Sequence, residues 1–289
     1  MTMFEYTRQV ASGKDNYERI AKEAGDKVNG SVLTLLVKAI LGGWFVAIGG
    51  YAASVIASLF FDPGASNGTS RAAFSLIFPS ALCAILFTGT DLYTGNTMSF
   101  TFALYKKHIT VLNYFYKLGV SILGNYIGTV LGAMILAGGT TYFIIDVGSG
   151  APYMTDLALA KTTKPFWKIM FSAIGCNCFV CLAVWSFYAC YDSAGAVLII
   201  FAHIGAFAAG GLEHIIANFY LLNAALISKS GVSFLDVYYR NLIPVLLGNT
   251  IAGTCIMGLP LAFIYRDNKN QSIFKDTRND EVEIKTLVI

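Results

Sequence analysis

Two acids and one histidine stand where the surrounding residues are apolar: Asp91, five positions before Asn96; Glu213, five before Asn218; and His214, directly after Glu213. An ionisable group in such a run is a functional candidate by default, because leaving it there unpaired is costly. Neutral imidazole carries one donor and one acceptor, so Thr88, Thr90 or Thr94 can pair with one ring nitrogen of His214 while the other faces a passing solute. His108 belongs to a charged turn and His203 to the first half of its apolar run, which leaves His214 as the histidine placed to handle a proton. The acids admit two readings. Either they carry protons, or each accepts the orphan N–H groups of a helix that restarts beside it and meets the positive end of that helix's dipole. Their position at an apparent restart favours the second.

The elements that hold these residues follow from composition. Hydrophobic residues make up 56% of 289 positions and charged residues 13%, about half the charge of a soluble globular chain. The apolar runs show no amphipathic stripe. A span needs about 20 apolar residues, rising about 1.5 Å each, to cross roughly 30 Å of hydrocarbon. Six segments qualify, near 32–60, 72–105, 111–143, 166–190, 194–227 and 237–265. The expected protein is all-α and integral to the membrane, with residues 1–31 a cytoplasmic arm, 32–265 the six-helix domain and 266–289 a flexible cytoplasmic tail. The polar first thirty residues show no cleavable signal peptide, so the first span directs insertion.

The net charge of +3 follows the membrane and offers no reason to expect nucleic acid. With the N-terminus inside, the arm, the Lys106–Lys107 turn and the tail hold 12 of the 20 Lys and Arg, against six in the opposite loops, so the positive-inside rule puts both termini in the cytosol.

The third and sixth spans share Leu-Gly-Asn and a following isoleucine: Leu123, Gly124, Asn125, Ile127 against Leu247, Gly248, Asn249, Ile251. The second and fifth share the acid-to-asparagine spacing, and the first and fourth share Phe45-Val46 and Phe179-Val180. Three matches in chain order argue for a duplicated three-helix unit. Because three is odd, the second copy enters the bilayer from the other side, the inverted arrangement of many transport proteins. The second and fifth spans are also broken. Thr88-Gly89-Thr90-Asp91-Leu92-Tyr93-Thr94-Gly95-Asn96 interrupts one apolar run, and Gly210-Gly211 precedes Glu213-His214 in the other. Unwound backbone at that depth is covered by protein or lines a wet cavity, because lipid offers no hydrogen bonds.

Lys27 and Lys161 each lie 18 residues before the repeated Phe-Val pair, one at each mouth. Anion attraction and interfacial snorkelling both suit them. Gly124, Gly128 and Gly132, at a spacing of four, form a close-packing face. Cys178 and Cys181 have a CxxC spacing without a second ligand pair, so they read as packing residues and no metal or cofactor is expected.

The two broken loops, together with Gly175-Cys176-Asn177-Cys178-Phe179-Val180-Cys181-Leu182-Ala183-Val184 and Leu242-Ile243-Pro244-Val245-Leu246-Leu247-Gly248-Asn249, resemble the formate/nitrite transporter family over nearly the whole chain. Within that family they look like the lactate and formate transporters of protozoan parasites. The resemblance implies an aquaporin-like protomer in a homopentamer, each protomer with its own path; the plasma membrane is the expected location. It implies that His214 is the central histidine, that Thr94 is the loop threonine bonded to it, and that Asn177 and Asn218 are polar groups nearby. Phe78, Leu82, Leu92, Val180 and Phe207 match its apolar constrictions, Tyr93 stands where phenylalanine is more usual, and Lys27 and Lys161 match the vestibule lysines. Thr88, Gly89, Thr90, Asp91, Gly95, Asn96, Gly210, Gly211 and Glu213 match the loop scaffold.

Magnitudes favour passage as a neutral acid. Burying a bare carboxylate carries an idealised Born cost on the order of 20 kcal/mol, several after relaxation, whereas protonating a carboxylate whose ordinary pKa is near 4 costs roughly 4 kcal/mol at pH 7. The expected function is transport of small monocarboxylates (formate, acetate, lactate, pyruvate) with a proton. The alternative is a channel for water or small neutral solutes, although neither Gly95-Asn96-Thr97 nor Ala217-Asn218-Phe219 is the Asn-Pro-Ala loop such a channel would be expected to carry. An intramembrane enzyme would need a nucleophile or second ligand near His214, and the sequence places none there.

Overall fold

The computed structural model describes residues 10–144 and 150–266; the tail expected beyond them lies outside the described residues. The part of the N-terminal arm that is described is a helix, α1 (Gly13–Asn29), capped by Ser12, whose Oγ accepts from Asp15 N at 3.1 Å. Its apolar residues recur at helical spacing, so Tyr17, Ile20, Ala21, Ala24 and Val28 form one buried face. The arm is therefore amphipathic rather than simply polar. Asn16 Nδ2 donates to Trp185 O at 2.9 Å and fixes the helix across the end of the bundle.

The rest of the chain is also helical. In order follow α2 (Val32–Ser58), α3 (Gly68–Ile77), α4 (Ser80–Thr88), α5 (Tyr93–Tyr105), α6 (Val111–Gly132), α7 (Gly150–Thr162), α8 (Phe166–Ala189), α9 (Ser193–Ala209), α10 (Ile215–Ile227), α11 (Ile243–Ile251) and α12 (Leu259–Tyr265). Wider π turns join some of these into longer runs, at Ala133–Gly138, Asp236–Leu242 and Ala252–Gly258. The last two immediately precede helices that carry proline in the first turn, Pro244 and Pro260. Proline lacks an N–H and its ring crowds the carbonyl four residues back, and a widened turn relieves both effects.

Five runs are long and apolar enough to cross a membrane: Val32–Ser58, Gly68–Thr88, Val111–Gly138, Phe166–Ala189 and Asp236–Tyr265. Two further apolar helices, α9 and α10, are shorter. The outward faces carry large exposed apolar side chains such as Leu33, Leu112, Phe171, Leu198 and Ile264, whereas Asp91, Thr94, Asn125, Asn177, Glu213, Asn218 and Asn249 are buried. Polar groups inside and apolar groups outside are the distribution a lipid solvent imposes.

The glycine stripe packs as expected. A Cβ at Gly128 would fall on the carbonyl of Ile40, and one at Gly132 on Ala47, so α6 lies backbone to backbone against α2. Gly248 approaches Met170 and Ala173 of α8 in the same way.

Candidate functional site

Both interruptions turn on a left-handed glycine, Gly89 at φ +65° and Gly211 at φ +64°, a conformation that costs other residues roughly 1–2 kcal/mol. After each turn the chain runs extended for a few residues and re-enters a helix, through Leu92 into α5 and through His214 into α10.

The acids do not cap these restarts. Tyr93 N donates instead to Asn125 Oδ1 at 2.8 Å, and Ile215 N donates to Asn249 Oδ1 at 2.8 Å. Asn125 Nδ2 also donates to Ala39 O and Asp91 O at 2.7 and 2.9 Å, and Asn249 Nδ2 to Ala173 O and Glu213 O at 2.7 and 3.1 Å. One amide therefore ties the new helix, the unwound strand and a neighbouring helix together at each break, and it satisfies backbone groups that lipid could not. The repeated Leu-Gly-Asn marks these two residues without revealing this role.

The carboxylates are occupied elsewhere. Asp91 accepts from Lys27 Nζ and Asn96 Nδ2, both at 2.9 Å, and from Ser121 Oγ. Glu213 accepts from Lys161 Nζ and Asn218 Nδ2, both at 2.8 Å, with Lys164 Nζ at 3.4 Å. A buried carboxylate needs a counter-charge and filled lone pairs to stay ionised, and lysines 64 and 52 residues away in sequence supply the charge. The expectation that the acids cap helices is corrected to that of buried ion pairs bracketed by an amide.

His214 is the N-cap of α10. Its Nδ1 accepts from Ala217 N at 3.1 Å and its Nε2 lies 3.0 Å from Thr94 Oγ1. An Nδ1 that accepts a backbone N–H holds no proton, so this hydrogen-bond pattern assigns the ring proton to Nε2, donated to Thr94. Contrary to the expectation from sequence, the second nitrogen does not face a passing solute; it holds the helix end. What His214 turns to the open space is its ring, 4% exposed and stacked on Phe207 with centroids 5.8 Å apart. Of the three candidate threonines, only Thr94 reaches it: Thr88 Oγ1 donates to Ala84 O at 2.6 Å, and Thr90 Oγ1 to Ile85 O at 3.3 Å.

Three cavities lie in series. One of about 160 Å³ contains Lys161, Lys164, Arg71, Glu213 and Asn218 in its wall. Another of about 470 Å³ is lined by Lys27, Lys38, Asn96, Gly89 and Gly95. Between them a space of about 20 Å³ is walled by Val46, Phe78, Ala81, Leu82, Ile85, Leu92, Val180, Ile204, Phe207 and His214. It shares Phe78, Phe207 and His214 with the first cavity and Leu82, Ile85 and Leu92 with the second. Apart from His214 this wall is wholly apolar, and its volume is that of about one water.

Most of the expected constriction residues thus meet at one place. Tyr93 is the exception: it is absent from this wall, and its hydroxyl bonds Thr250 Oγ1 at 2.7 Å. Asn177 sits behind the wall, donating to Asn249 O at 2.6 Å and Thr97 Oγ1 at 3.1 Å. The Oδ1 atoms of Asn177 and Asn218 are buried and find no partner among the described residues. Arg71 and Lys164 enter the vestibule wall unannounced by the repeat, because neither has a matching residue in the other half.

Two chambers with lysines in their walls thus flank a narrow apolar neck faced by His214, and the chain is similar to known proteins over most of its length. A family model described as formate/nitrite transporter matches residues 14–263. The formate-nitrite transporter of Plasmodium falciparum (isolate 3D7) is 37% identical over 290 residues, covering 98% of this chain and 94% of that protein. A solved structure described as an FNT family ion channel superposes with a TM-score of 0.77 at 26% identity, over 88% of this chain and 99% of that one. A pentameric formate channel with formate bound has the same fold, with a TM-score of 0.71 at 22% identity over 82% and 98% of the two chains. This chain belongs to the formate/nitrite transporter family of integral membrane transport proteins.

Proposed function

We propose that the protein carries small monocarboxylates, among them formate, acetate, lactate and pyruvate, across the membrane together with a proton, the acid passing the neck in neutral form beside His214. The observation that carries this reading is the neck itself, an apolar space of about 20 Å³ between two chambers lined with lysines. Anions gather where the lysines are, Lys27 and Lys161 among them, and find no counter-charge in the neck. Removing water from an anion there costs several kcal/mol, comparable with or above the roughly 4 kcal/mol of protonating it at pH 7. Within an increasingly apolar chamber the substrate's own pKa rises, which narrows the cost further. Thr94, Asn177 and Asn218 keep the polar surroundings of the neck in register.

In this reading α9 and α10 together make the fifth of six spans, broken at Gly210–His214 as the second is broken at Gly89–Leu92. The two halves are inverted three-helix repeats, supported by the matched roles of Asn125 and Asn249 and of the Lys27–Asp91 and Lys161–Glu213 pairs. Both termini face the cytosol, so the Lys161 chamber opens outward. The protein sits in the plasma membrane as a homopentamer of aquaporin-like protomers, each with its own path.

Swelling of proteoliposomes loaded in separate batches with lactate, formate and glycerol tests the reading. Rapid, acid-stimulated swelling with the two carboxylates and none with glycerol is expected. Swelling with glycerol that ignores pH would instead mark a channel for neutral solutes.

A further inference from the structure

The lysine at each break is already committed. Lys161 Nζ lies 2.8 Å from Glu213 Oε2 and Lys164 Nζ 3.4 Å from Oε1, with the Glu213 side chain fully buried. Both ammonium groups keep further N–H donors and add to the field that draws an anion in, but each shares its charge with Glu213, which weakens its hold on a second carboxylate. Arg71 is different. It stands in the first turn of α3, and its side chain lines the same chamber and forms no hydrogen bond or ion pair among the described residues.

Its guanidinium is held by shape. The point a Cβ would occupy on Gly211 lies 3.6 Å from Arg71 Cζ, 3.6 Å from Nη1 and 3.7 Å from Nε. Near-equal distances place that point over the flat face of the group, since an approach along its edge would leave Cζ farther away than the nitrogens. Gly211 is in the left-handed region at φ +64°, so its missing side chain both permits the turn and leaves room for the guanidinium. With its face on the turn, the group keeps its N–H edge for the chamber that ends at Phe78, Phe207 and His214.

We propose that Arg71 receives the substrate carboxylate in the Lys161 chamber, holding it through the N–H edge before the acid moves to the neck. This rests on the reading of the protein as a carboxylate pathway. A planar fork matches a planar carboxylate with two parallel N–H···O bonds, which an ammonium cannot offer. The chamber therefore selects carboxylates over monatomic anions such as chloride.

The test is the concentration dependence of labelled formate influx and efflux in cells expressing the full chain, normalised to surface protein. Arg71→Gln should raise the influx KM about fivefold, ~1 kcal/mol at 1.36 kcal/mol per tenfold, with the influx Vmax and the efflux KM within twofold of the parent and the efflux Vmax reduced in step, since a substitution cannot change the ratio of the two Vmax/KM values. Arg71→Lys, which keeps the charge and loses the fork, should raise the influx KM by about twofold and make chloride a better competitor. No formate uptake by the parent protein would sink the transport reading itself. Uptake by the parent with an unchanged influx KM in both variants would overturn the role of Arg71 alone. A fall in influx Vmax at constant influx KM, or equal rises in influx and efflux KM, would assign Arg71 to packing and overturn it as well.

Discussion

Replacing His214 separates its two hydrogen bonds, because asparagine can reproduce one and alanine neither. His214→Asn would place a carbonyl oxygen where Nδ1 now accepts from Ala217 N at 3.1 Å, and asparagine is among the best N-cap residues. Its amide is too short to reach Thr94 Oγ1, now 3.0 Å from Nε2. His214→Ala loses the cap, worth ~1 kcal/mol. It also loses the stack on Phe207, worth ~1 kcal/mol, and leaves a buried Thr94 hydroxyl without its imidazole partner, costing ~1 kcal/mol. The total of ~3 kcal/mol corresponds to a fall of about 6–12 °C in apparent Tm at about 2–4 °C per kcal/mol. His214→Asn should recover the cap alone and sit about 2–4 °C above the alanine variant. Thermal unfolding of the purified protein in detergent, followed by intrinsic tryptophan fluorescence, reads the difference. Equal Tm values for the two variants would refute the assignment of Nδ1 as the cap of α10, and with it the placement of the ring proton on Nε2.

Three further outcomes follow from the same geometry. Asn249→Asp keeps the acceptor for Ile215 N but turns a buried carboxyl oxygen toward Ala173 O and Glu213 O, so it should lower Tm at least as much as Asn249→Ala, which strips all three bonds; a clearly smaller loss would show that the Ile215 bond alone matters. Glu213→Gln leaves Lys161 without its counter-charge at a cost of ~3 kcal/mol, the low end for a broken buried pair because the lysine is partly exposed. Adding Lys161→Met should restore part of the lost Tm, and a double variant no better than the single would contradict the pairing. Gly89→Ala meets nothing within 4 Å and should cost only the ~1–2 kcal/mol of a left-handed alanine, whereas Gly253→Ala drives a Cβ into Thr97 and should abolish the folded, monodisperse peak on a sizing column.

Much of the site is legible in the sequence, and what escapes it has identifiable causes. The breaks at Gly89 and Gly211 are visible because a glycine beside an acid has no place in a lipid-facing run. The convergence of Phe78, Leu82, Leu92, Val180 and Phe207 is legible only through family resemblance, since five apolar residues among many carry no local signal. Asp91 and Glu213 read as caps because the lysines that meet them come from α1 and α7, and a single sequence gives no distance between such segments. The role of His214 is closer to hand. An N-cap accepts from the residue three positions on, and Ala217 stands there, but imidazole is a rare enough cap that the polar path is the more obvious reading. Asn125 and Asn249 show the limit of a repeat, which says that two residues correspond and leaves open what they do. Arg71 and Lys164 are hidden for the opposite reason, as they break the symmetry.

The central claim is that the carboxylate crosses the neck as its neutral acid. Uptake of labelled formate into proteoliposomes, at fixed total formate and with the membrane potential clamped at zero, measures it directly across external pH 5 to 8. The account predicts a rate that falls about tenfold for each unit of rising pH, in step with the protonated fraction of an acid whose ordinary pKa is near 4. Equal rates at pH 5 and pH 8 would contradict it.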